Sequence, residues 1–287
     1  MAEIIISNER CSAVINYHGA ELKSFKKDGK EYMWNADPQY WGRTAPVLFP
    51  FVGAVNENKY RYNGEEFEMG QHGFARDMDF ELVENDETSC VFYLSADEDT
   101  LEKYPMWFEL YIKYELRGTE LFIGWDVVNS ADEMLEFSIG AHPAFNCALS
   151  DSAIRIKYEG NPVGSFTNSV FGKGLLTDKL ENIKLDDGVM MLDEHSFDGD
   201  AYVIEESQVD EVELLDKSLN KILSVKFTSP VVGIWSPPGK NAPFICIEPW
   251  YGRADREGFK GELKDRDWNN SLRPGEHFMV NYVIELA

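Results

Sequence analysis

One histidine stands in a context that suits proton transfer. His142 follows the apolar alternation of Phe137, Ile139 and Ala141 and comes directly before Pro143. Because proline cannot continue a ladder of backbone hydrogen bonds, we expect this imidazole at the end of a buried strand. Only five histidines occur among the 287 residues, and histidine is the one side chain whose ordinary pKa lies near neutrality. His142 is therefore a candidate proton carrier, and a histidine that only caps the strand is the alternative.

A glutamate occupies a comparable position later in the chain. The apolar segment Phe244–Ile247 runs into Glu248, which Pro249 and Trp250 follow. A carboxylate that ends an apolar strand beside an indole is partly desolvated, so its pKa rises and it becomes a usable base near neutral pH. The alternative is a buried salt bridge with Arg253 as the partner. His142 and Glu248 together would form an acid–base pair of two chemical types.

Two further segments carry unusual polar residues. Arg43 opens a long uncharged run, so its guanidinium needs a partner, either a carboxylate or the hydroxyls or phosphate of a ligand. An ion pair at the protein surface is the alternative. In Gln71–Arg76, a glycine follows His72, and this tight turn could bring His72 close to Arg76. Taken alone, that second pattern is weakly specific.

Several kinds of site lack their sequence signatures. We find no nucleophile elbow, P-loop or Rossmann glycine run, and no H-x-H or H-E-x-x-H spacing that would indicate a metal. We therefore expect neither a metal nor a cofactor. The four cysteines are far apart in apolar settings, which predicts buried free thiols and no disulfide scaffold; they are Cys11, Cys90, Cys147 and Cys246.

The net charge of −24 restricts the partners. It disfavours nucleic acid, which is bound through lysine and arginine, and anionic membrane surfaces. A few arginines could still build a local site for a phosphorylated small molecule. The N-terminus lacks a signal-peptide pattern, and the longest mostly apolar run, 45–55, contains two prolines and is too short for a membrane span. We expect a cytoplasmic protein, either a monomer or a homodimer.

The elements that must position these residues are mostly strands. Period-two alternation over Phe108–Leu116 and Leu121–Val127, with a turn between the two runs, predicts an antiparallel hairpin. The single helix predicted is Asp97–Tyr104, ended by Pro105. Further strands are predicted at Cys90–Ser95, Met134–Ala141, Lys221–Thr228, Val231–Trp235, Phe244–Ile247 and Phe278–Glu285.

Many strands, turn residues between them and little helix indicate an all-β sandwich or barrel. The sequence contains no internal repeat, low-complexity segment or linker rich in proline and serine. We therefore predict a single domain over residues 1–287.

Four segments in a consistent order resemble the aldose 1-epimerases, or galactose mutarotases, in the branch of the LacX-like proteins. They are Gly42–Pro50, His72–Arg76, Gly140–Phe145 and Ile247–Trp250. The resemblance covers nearly the whole chain, from about Ile4 to Ile284. It implies a large twisted antiparallel β-sandwich, the galactose mutarotase-like supersandwich, whose concave face binds a sugar. It also implies catalysis without a cofactor.

The resemblance implies specific catalytic roles. Glu248 would be the general base that removes the proton of the anomeric hydroxyl, and His142 the general acid that protonates the ring oxygen. The ring would open, the C1–C2 bond would rotate, and reclosure would give the other anomer, with the two groups exchanging roles. We expect the pair to face one groove, about a sugar ring apart, and to give a bell-shaped pH–rate profile around neutrality.

The resemblance also implies the substrate-binding residues. His72 would hydrogen-bond a sugar oxygen, and Arg43 falls on the substrate-binding arginine. Asp200 is the best match to an aspartate that binds sugar hydroxyls, with Asp198 as the competing choice. Nearby aromatic residues offer apolar faces for sugar rings or belong to the core; they are Trp41, Phe74, Phe145, Trp235 and Trp250.

The substrate class stays open at this point. The segments around Arg43 and Arg76 are also similar to those of hexose-6-phosphate mutarotases, in which arginines bind the phosphate. A free aldohexose and a 6-phosphorylated one are therefore both candidates. A non-catalytic carbohydrate-binding protein on the same fold is a further alternative.

Overall fold

The computed structural model of the protein describes residues 2–287, which form mainly antiparallel strands. The strands of the first half are β1 Glu3–Ser7, β2 Cys11–Asn16, β3 Leu22–Lys27, β4 Lys30–Glu31, β5 Val47–Leu48, β6 Lys59–Tyr62, β7 Glu65–Glu68, β8 Glu81–Asn85, β9 Ser89–Ser95, β10 Glu109–Arg117, β11 Glu120–Val128, β12 Leu135–Phe137 and β13 Ile139–Ala141. The remaining strands are β14 Ala144–Asn146, β15 Ser152–Tyr158, β16 Asn161–Pro162, β17 Ser165–Phe171, β18 Leu176–Lys184, β19 Val189–Met191, β20 Tyr202–Ile204, β21 Glu211–Asp216, β22 Lys221–Phe227, β23 Val231–Trp235, β24 Phe244–Tyr251, β25 Asn270–Leu272 and β26 His277–Leu286. The α-helix is α1 Glu98–Lys103, and short 3-10 turns occupy Asn56–Asn58, Ala75–Asp77, Leu149–Asp151 and Leu263–Asp265.

Two large sheets dominate the architecture. The ten-stranded sheet has the order β16-β15-β21-β22-β26-β11-β10-β9-β8, with β19 pairing to β15. The eight-stranded sheet has the order β18-β17-β20-β23-β24-β13-β5, with β14 pairing to β24. A four-stranded sheet, β1-β2-β3-β4, and two two-stranded pairs, β12-β25 and β6-β7, complete the set. This arrangement confirms the predicted β-rich fold.

Local patterns account for several of these elements. In β10 the buried residues Leu110, Ile112 and Tyr114 alternate with more exposed ones, as the period-two pattern predicts. The hairpin of β10 and β11 forms as predicted. Helix α1 begins after Asp97, whose side chain accepts a hydrogen bond from the Thr100 amide as an N-cap.

Two strand predictions need correction. The predicted strand Met134–Ala141 is interrupted at Ser138, whose N–H donates to the Pro50 carbonyl at 2.8 Å. The two parts, β12 and β13, consequently pair with different neighbours. The strand predicted over Phe244–Ile247 is longer, since β24 runs through Glu248 to Tyr251.

Strand β24 is buried on both faces, and this positions the candidate site. Ile245 and Ile247 contribute to the large core cluster, which also draws on the ten-stranded sheet. Phe244 and Cys246 belong to a separate cluster on the other face of β24. Glu248 lies two residues beyond Cys246 in the same strand, so both side chains point to that second face.

The cysteines match the prediction, because all four are free thiols. Cys11, Cys90 and Cys246 are buried and Cys147 is half-buried. No helix among residues 2–287 is long and apolar enough to cross a membrane.

Candidate active site

His142 and Glu248 lie opposite each other on neighbouring antiparallel strands. In β13, Gly140 pairs with Trp250, and in β14, Ala144 pairs with Cys246. Both pairings follow one register, which sets His142 against Glu248 between them. The Ile247 N–H points to the Pro143 carbonyl at 3.3 Å, so His142 and Glu248 form the adjacent, non-hydrogen-bonded position where side chains approach most closely.

The two side chains are in direct contact. The Nε2 atom of His142 lies 3.2 Å from the Oε2 atom of Glu248, and the Glu248 side chain is only 1% exposed. The expected separation of about a sugar ring was therefore wrong. Directly opposite residues of an antiparallel pair have Cβ atoms only about 4.5–5.5 Å apart, which leaves no room for a ring between them. Both residues line a cavity, from which a ligand could reach the pair.

The salt-bridge alternative for Glu248 is not what forms. Arg253 instead donates to Glu205 at 2.9 Å and also pairs with Asp267. Glu248 thus contacts a histidine and no arginine among the ion pairs of residues 2–287.

Burial controls the protonation of the pair. It lowers the pKa of His142 to about 3. It also raises the pKa of Glu248 well above its ordinary value; the Trp250 indole opposes this shift and the Asp200 carboxylate adds to it. Both shifts favour the form in which the two side chains are neutral and Glu248 holds the proton that the pair shares.

Aromatic rings enclose the imidazole of His142. The Trp41 ring stacks on it with centroids 4.6 Å apart and an interplanar angle of 28°. Trp235 meets it edge-on at 5.4 Å. These rings exclude water from the imidazole, which is the physical reason for its low pKa.

Glycines make room for Trp250 beside the pair. A Cβ atom on Gly233 would lie 2.5 Å from the Trp250 ring, and one on Gly140 would lie 2.7 Å from it. Gly233 and Gly140 belong to the two strands that flank β24, and Gly233 pairs directly with Glu248. The indole therefore lies across its neighbouring strands and forms the floor next to the carboxyl group.

His72 is held next to His142 by its own backbone. The two rings meet edge-on with centroids 5.6 Å apart. The Gly53 N–H donates to Nδ1 of His72 at 3.1 Å, which leaves Nε2 as the donor nitrogen of the neutral ring. Burial lowers the pKa of His72 well below its ordinary value, and the neighbouring His142, Arg76 and Arg43 charges lower it further.

The two arginines take different positions. Arg43 donates to Asp77 at 2.7 Å, so the predicted need for a partner is met by a carboxylate of this chain. Arg76 lines the cavity described below and donates to the Gln71 carbonyl at 2.7 Å. Its Nε atom is buried and forms no hydrogen bond with the described residues. His72 and Arg76 are thus near each other, as the turn in this segment suggested.

The two aspartates separate clearly. Asp200 lines the cavity, and its carboxylate accepts a hydrogen bond from the Ala201 amide at 2.8 Å. Asp198 contacts the exposed His195 at 3.0 Å and does not line the cavity.

His72, Arg76, His142, Asp200 and Glu248 line one cavity of about 320 Å³. Its lining consists of Trp41, Gly53, Gln71, His72, Arg76, His142, Phe171, Gly174, Asp200, Ala201, Trp235, Pro238, Glu248 and Trp250. The five aromatic residues named from the sequence fall into two groups. Trp41, Trp235 and Trp250 line the cavity, whereas Phe74 and Phe145 pack with the core. Phe171, Gly174 and Pro238 carry no chemical signal in the sequence, which is why sequence reasoning missed them.

A cavity elsewhere is larger but less suited to proton transfer. It measures about 420 Å³, and its ionisable lining consists of Tyr62, Lys264 and the carboxylates of Glu133, Glu136 and Glu262, without a histidine. The Glu136 carboxylate already accepts hydrogen bonds from Asn269 and Ser271. The His142 cavity, in contrast, is lined by a histidine and a glutamate that are in direct contact.

One further side chain lies beside the pair. A donor atom of Cys246 lies within 4.8 Å of donor atoms of His142 and Glu248, and all three residues are buried. Sequence spacing predicted no metal site, and it could not have identified this group, because His142 is about a hundred residues away from Cys246 and Glu248 in the chain. The alternation of Cys246 and Glu248 along β24 was nevertheless a readable signal that they share a face.

Comparisons with known proteins agree with the fold described above. A family profile described as aldose 1-epimerase matches residues 3–284. The plasmid-encoded and chromosomal LacX proteins of Lactococcus lactis subsp. lactis are each 35% identical to the chain, with 99% of both chains covered. A galactose mutarotase related enzyme from Lactobacillus acidophilus superimposes with a TM-score of 0.93 at 33% identity, over 100% of this chain and 97% of that one. A galactose mutarotase-like protein from Lactobacillus casei gives a TM-score of 0.93 at 28% identity, with 100% of each chain covered.

Proposed function

Because this chain belongs to the aldose 1-epimerase family, we propose that it interconverts the α and β anomers of an aldohexose. The observation that carries the proposal is the buried contact between His142 and Glu248 on the wall of a cavity. Ring opening needs one group to accept a proton and one to donate a proton. A pair that shares one proton meets this need, and it needs no cofactor.

The chemistry follows from the proton on this pair. With Glu248 ionised and His142 protonated, Glu248 removes the proton of the anomeric hydroxyl while His142 protonates the ring oxygen. The ring opens to the aldehyde, the C1–C2 bond rotates, and the reverse transfers close the ring on the other face. This ionic form holds the same single proton as the neutral form that burial favours in the empty cavity. A proton shift between the neighbouring groups interconverts the two forms.

The other proposed roles are binding roles. We assign His72 to a sugar oxygen, because its Nε2–H is the free donor once Nδ1 accepts from Gly53. Asp200 would accept hydrogen bonds from sugar hydroxyls, since it lines the same cavity as the pair. We assign Arg76 to the substrate because it lines the cavity and its buried Nε, 3.7 Å from Oδ2 of Asp77, forms no hydrogen bond with the described residues. Arg43 would act at the edge of the site, where it pairs with Asp77.

Polarimetry on freshly dissolved α-glucose and α-galactose tests the proposal. We expect the protein to accelerate anomer exchange, and Glu248→Gln and His142→Asn each to reduce kcat by roughly 10²- to 10⁴-fold, the usual contribution of a positioned acid or base. Variants that remain folded and equilibrate the anomers as fast as the unmodified protein would disprove the catalytic assignment. Sugar binding in calorimetry without any anomer exchange would instead indicate a carbohydrate-binding protein.

A 6-phosphorylated aldohexose is the second candidate substrate. The observation that favours it is the Arg76 guanidinium on the cavity wall, whose Nε forms no hydrogen bond within residues 2–287 and has only a 3.7 Å ion pair with Asp77. Guanidinium groups match the geometry of phosphate oxygens. The net charge of −24 acts against the approach of an anion. A panel of glucose, galactose and their 6-phosphates distinguishes the two classes by kcat/KM.

We also propose that residues 1–287 form one domain located in the cytoplasm. The support is a single large core cluster that includes residues of both large sheets, such as Ile123 and Ile245. One cooperative calorimetric transition is expected, and two separable transitions would argue against it.

A further inference from the structure

The side chain of Cys246 completes a set of three donor atoms at the proposed catalytic pair. Cys246 and Glu248 point to the same face of β24, and His142 lies opposite Glu248. A sulfur, an imidazole nitrogen and a carboxylate oxygen lie within 4.8 Å of one another. The sequence spacing did not predict a thiol at this place.

A second observation points to a ligand. The Oε2 atom of Glu248 is buried and forms no hydrogen bond of regular geometry with any described residue. This oxygen faces Nε2 of His142 at 3.2 Å without regular hydrogen-bond geometry. Buried polar atoms are normally hydrogen-bonded, so the Glu248 oxygen indicates an interaction that the protein alone does not supply.

The donor set selects the kind of cation. Nitrogen, sulfur and carboxylate oxygen are the ligands of Zn²⁺, at about 2.0 Å for nitrogen and 2.3 Å for sulfur. A thiolate and a carboxylate would balance the charge of Zn²⁺, so burial of the complex carries no net charge penalty. Mg²⁺ and Ca²⁺ require mostly oxygen ligands and coordination numbers of about six or more, which this site does not offer.

We propose that Zn²⁺ binds His142, Cys246 and Glu248 and inhibits the proposed mutarotase reaction. On binding, the thiol and the Glu248 carboxyl group each release a proton to solvent, and the imidazole binds through a lone pair. The donor atoms must close in from their present separations by small side-chain rotations. His142 and Glu248 line the cavity, from which water or a sugar hydroxyl could complete the coordination. The metal removes both proton carriers from catalysis, and the inhibitory role therefore rests on the proposed function.

Zn²⁺ titrations of the metal-free protein test the inhibition. We expect added Zn²⁺ to stop mutarotation, whereas Mg²⁺ at the same concentration leaves the rate unchanged. Cys246→Ala should keep the basal rate and weaken the inhibition by at least about 10- to 100-fold, because loss of even an outer-shell partner has this effect on metal affinity. Cys90→Ala, a buried cysteine in β9 of the other large sheet, is the matched control and should be inhibited like the unmodified protein.

Cobalt provides a measurement that does not depend on activity. Co²⁺ at this site should give a thiolate-to-metal charge-transfer band in the near ultraviolet, present in Cys90→Ala and absent in Cys246→Ala. If Cys246→Ala were inhibited as strongly as the unmodified protein, or if the band were absent, the metal site would be disproved while mutarotation stood. A Cys246-dependent band in a protein without anomer exchange would support the metal site and overturn the proposed function.

Discussion

His142 and Glu248 are cross-strand neighbours, with Nε2 of one 3.2 Å from Oε2 of the other. Two prolines flank this position on the facing strands, Pro143 after the histidine and Pro249 after the glutamate. Neither proline can donate a backbone hydrogen bond to the ladder between β24 and its neighbour. The ladder keeps the bond from the Ile247 N–H to the Pro143 carbonyl, and β14 continues the same register at Ala144. The proposed catalytic pair is held by the sheet itself.

The shifted pKa values predict a broad pH–rate profile. With ordinary values of 4.5 for glutamate and 6.5 for histidine, the pair would hold one proton only between those limits. Burial lowers the pH at which the pair gains a second proton, on His142, to about 3. It raises the pH at which Glu248 loses the single proton, because the pKa of Glu248 is raised. We expect kcat/KM, corrected for the rate in buffer alone, to stay constant through pH 6.5 and to decline only at a more alkaline pH.

A decline in kcat/KM that begins near pH 6.5 would contradict this prediction. A tenfold decline for each pH unit above 6.5 would mean that an ordinary histidine carries the essential proton, as the sequence-based expectation of a bell around neutrality implied. Measurements of kcat/KM report the pKa values of the free enzyme.

The glycine under Trp250 gives a steric prediction. In Gly233→Ala, the new Cβ would lie 2.5 Å from the indole, so Trp250 must leave the floor beside Glu248. We expect kcat to fall by up to about 100-fold, the effect of a displacement of about 1 Å at a reacting group. Gly124→Ala, in β11 of the other large sheet, is the matched control. The nearest atoms to its new Cβ would be 3.9 Å away. Equal activity of the two folded variants would show that the indole position is irrelevant.

Local sequence patterns predicted the elements but not the site's geometry. The β10–β11 hairpin and helix α1 depend on residues close in sequence, so the period-two pattern and the helix start and stop signals were sufficient. The contact of His142 with Glu248 depends on the register between β13, β14 and β24, which are far apart in the chain. No local pattern encodes that register, and the expected separation was wrong for this reason. Arg43 shows the same limit, since its need for a partner was predictable but the identity of Asp77 was not.

The arginines predict a test of the substrate class. Arg76 lines the cavity, whereas Arg43 is already paired with Asp77. If the substrate is phosphorylated, Arg76→Gln should raise KM for the 6-phosphate by roughly 10- to 100-fold, since a hydrogen bond to a charged group contributes about 1.5–3 kcal/mol. KM for the free sugar should change much less, and Arg43→Gln should have the smaller effect on both. An equal effect of Arg76→Gln on the free sugar and the phosphate would exclude a phosphate contact at this residue.

The aspartates give a prediction that couples binding to pH. The Asp200 carboxylate raises the pKa of Glu248, so Asp200→Asn should lower that pKa and move the alkaline limit of activity to lower pH. The variant should also raise KM by about tenfold, because a charged acceptor for sugar hydroxyls is replaced by a neutral amide. Asparagine tolerates the backbone φ of 79° at this position, so the fold should persist. Asp198→Asn, at the exposed contact with His195, is the control and should leave both quantities unchanged. A higher KM with an unmoved alkaline limit would separate the two roles and show that Glu248 does not set that limit.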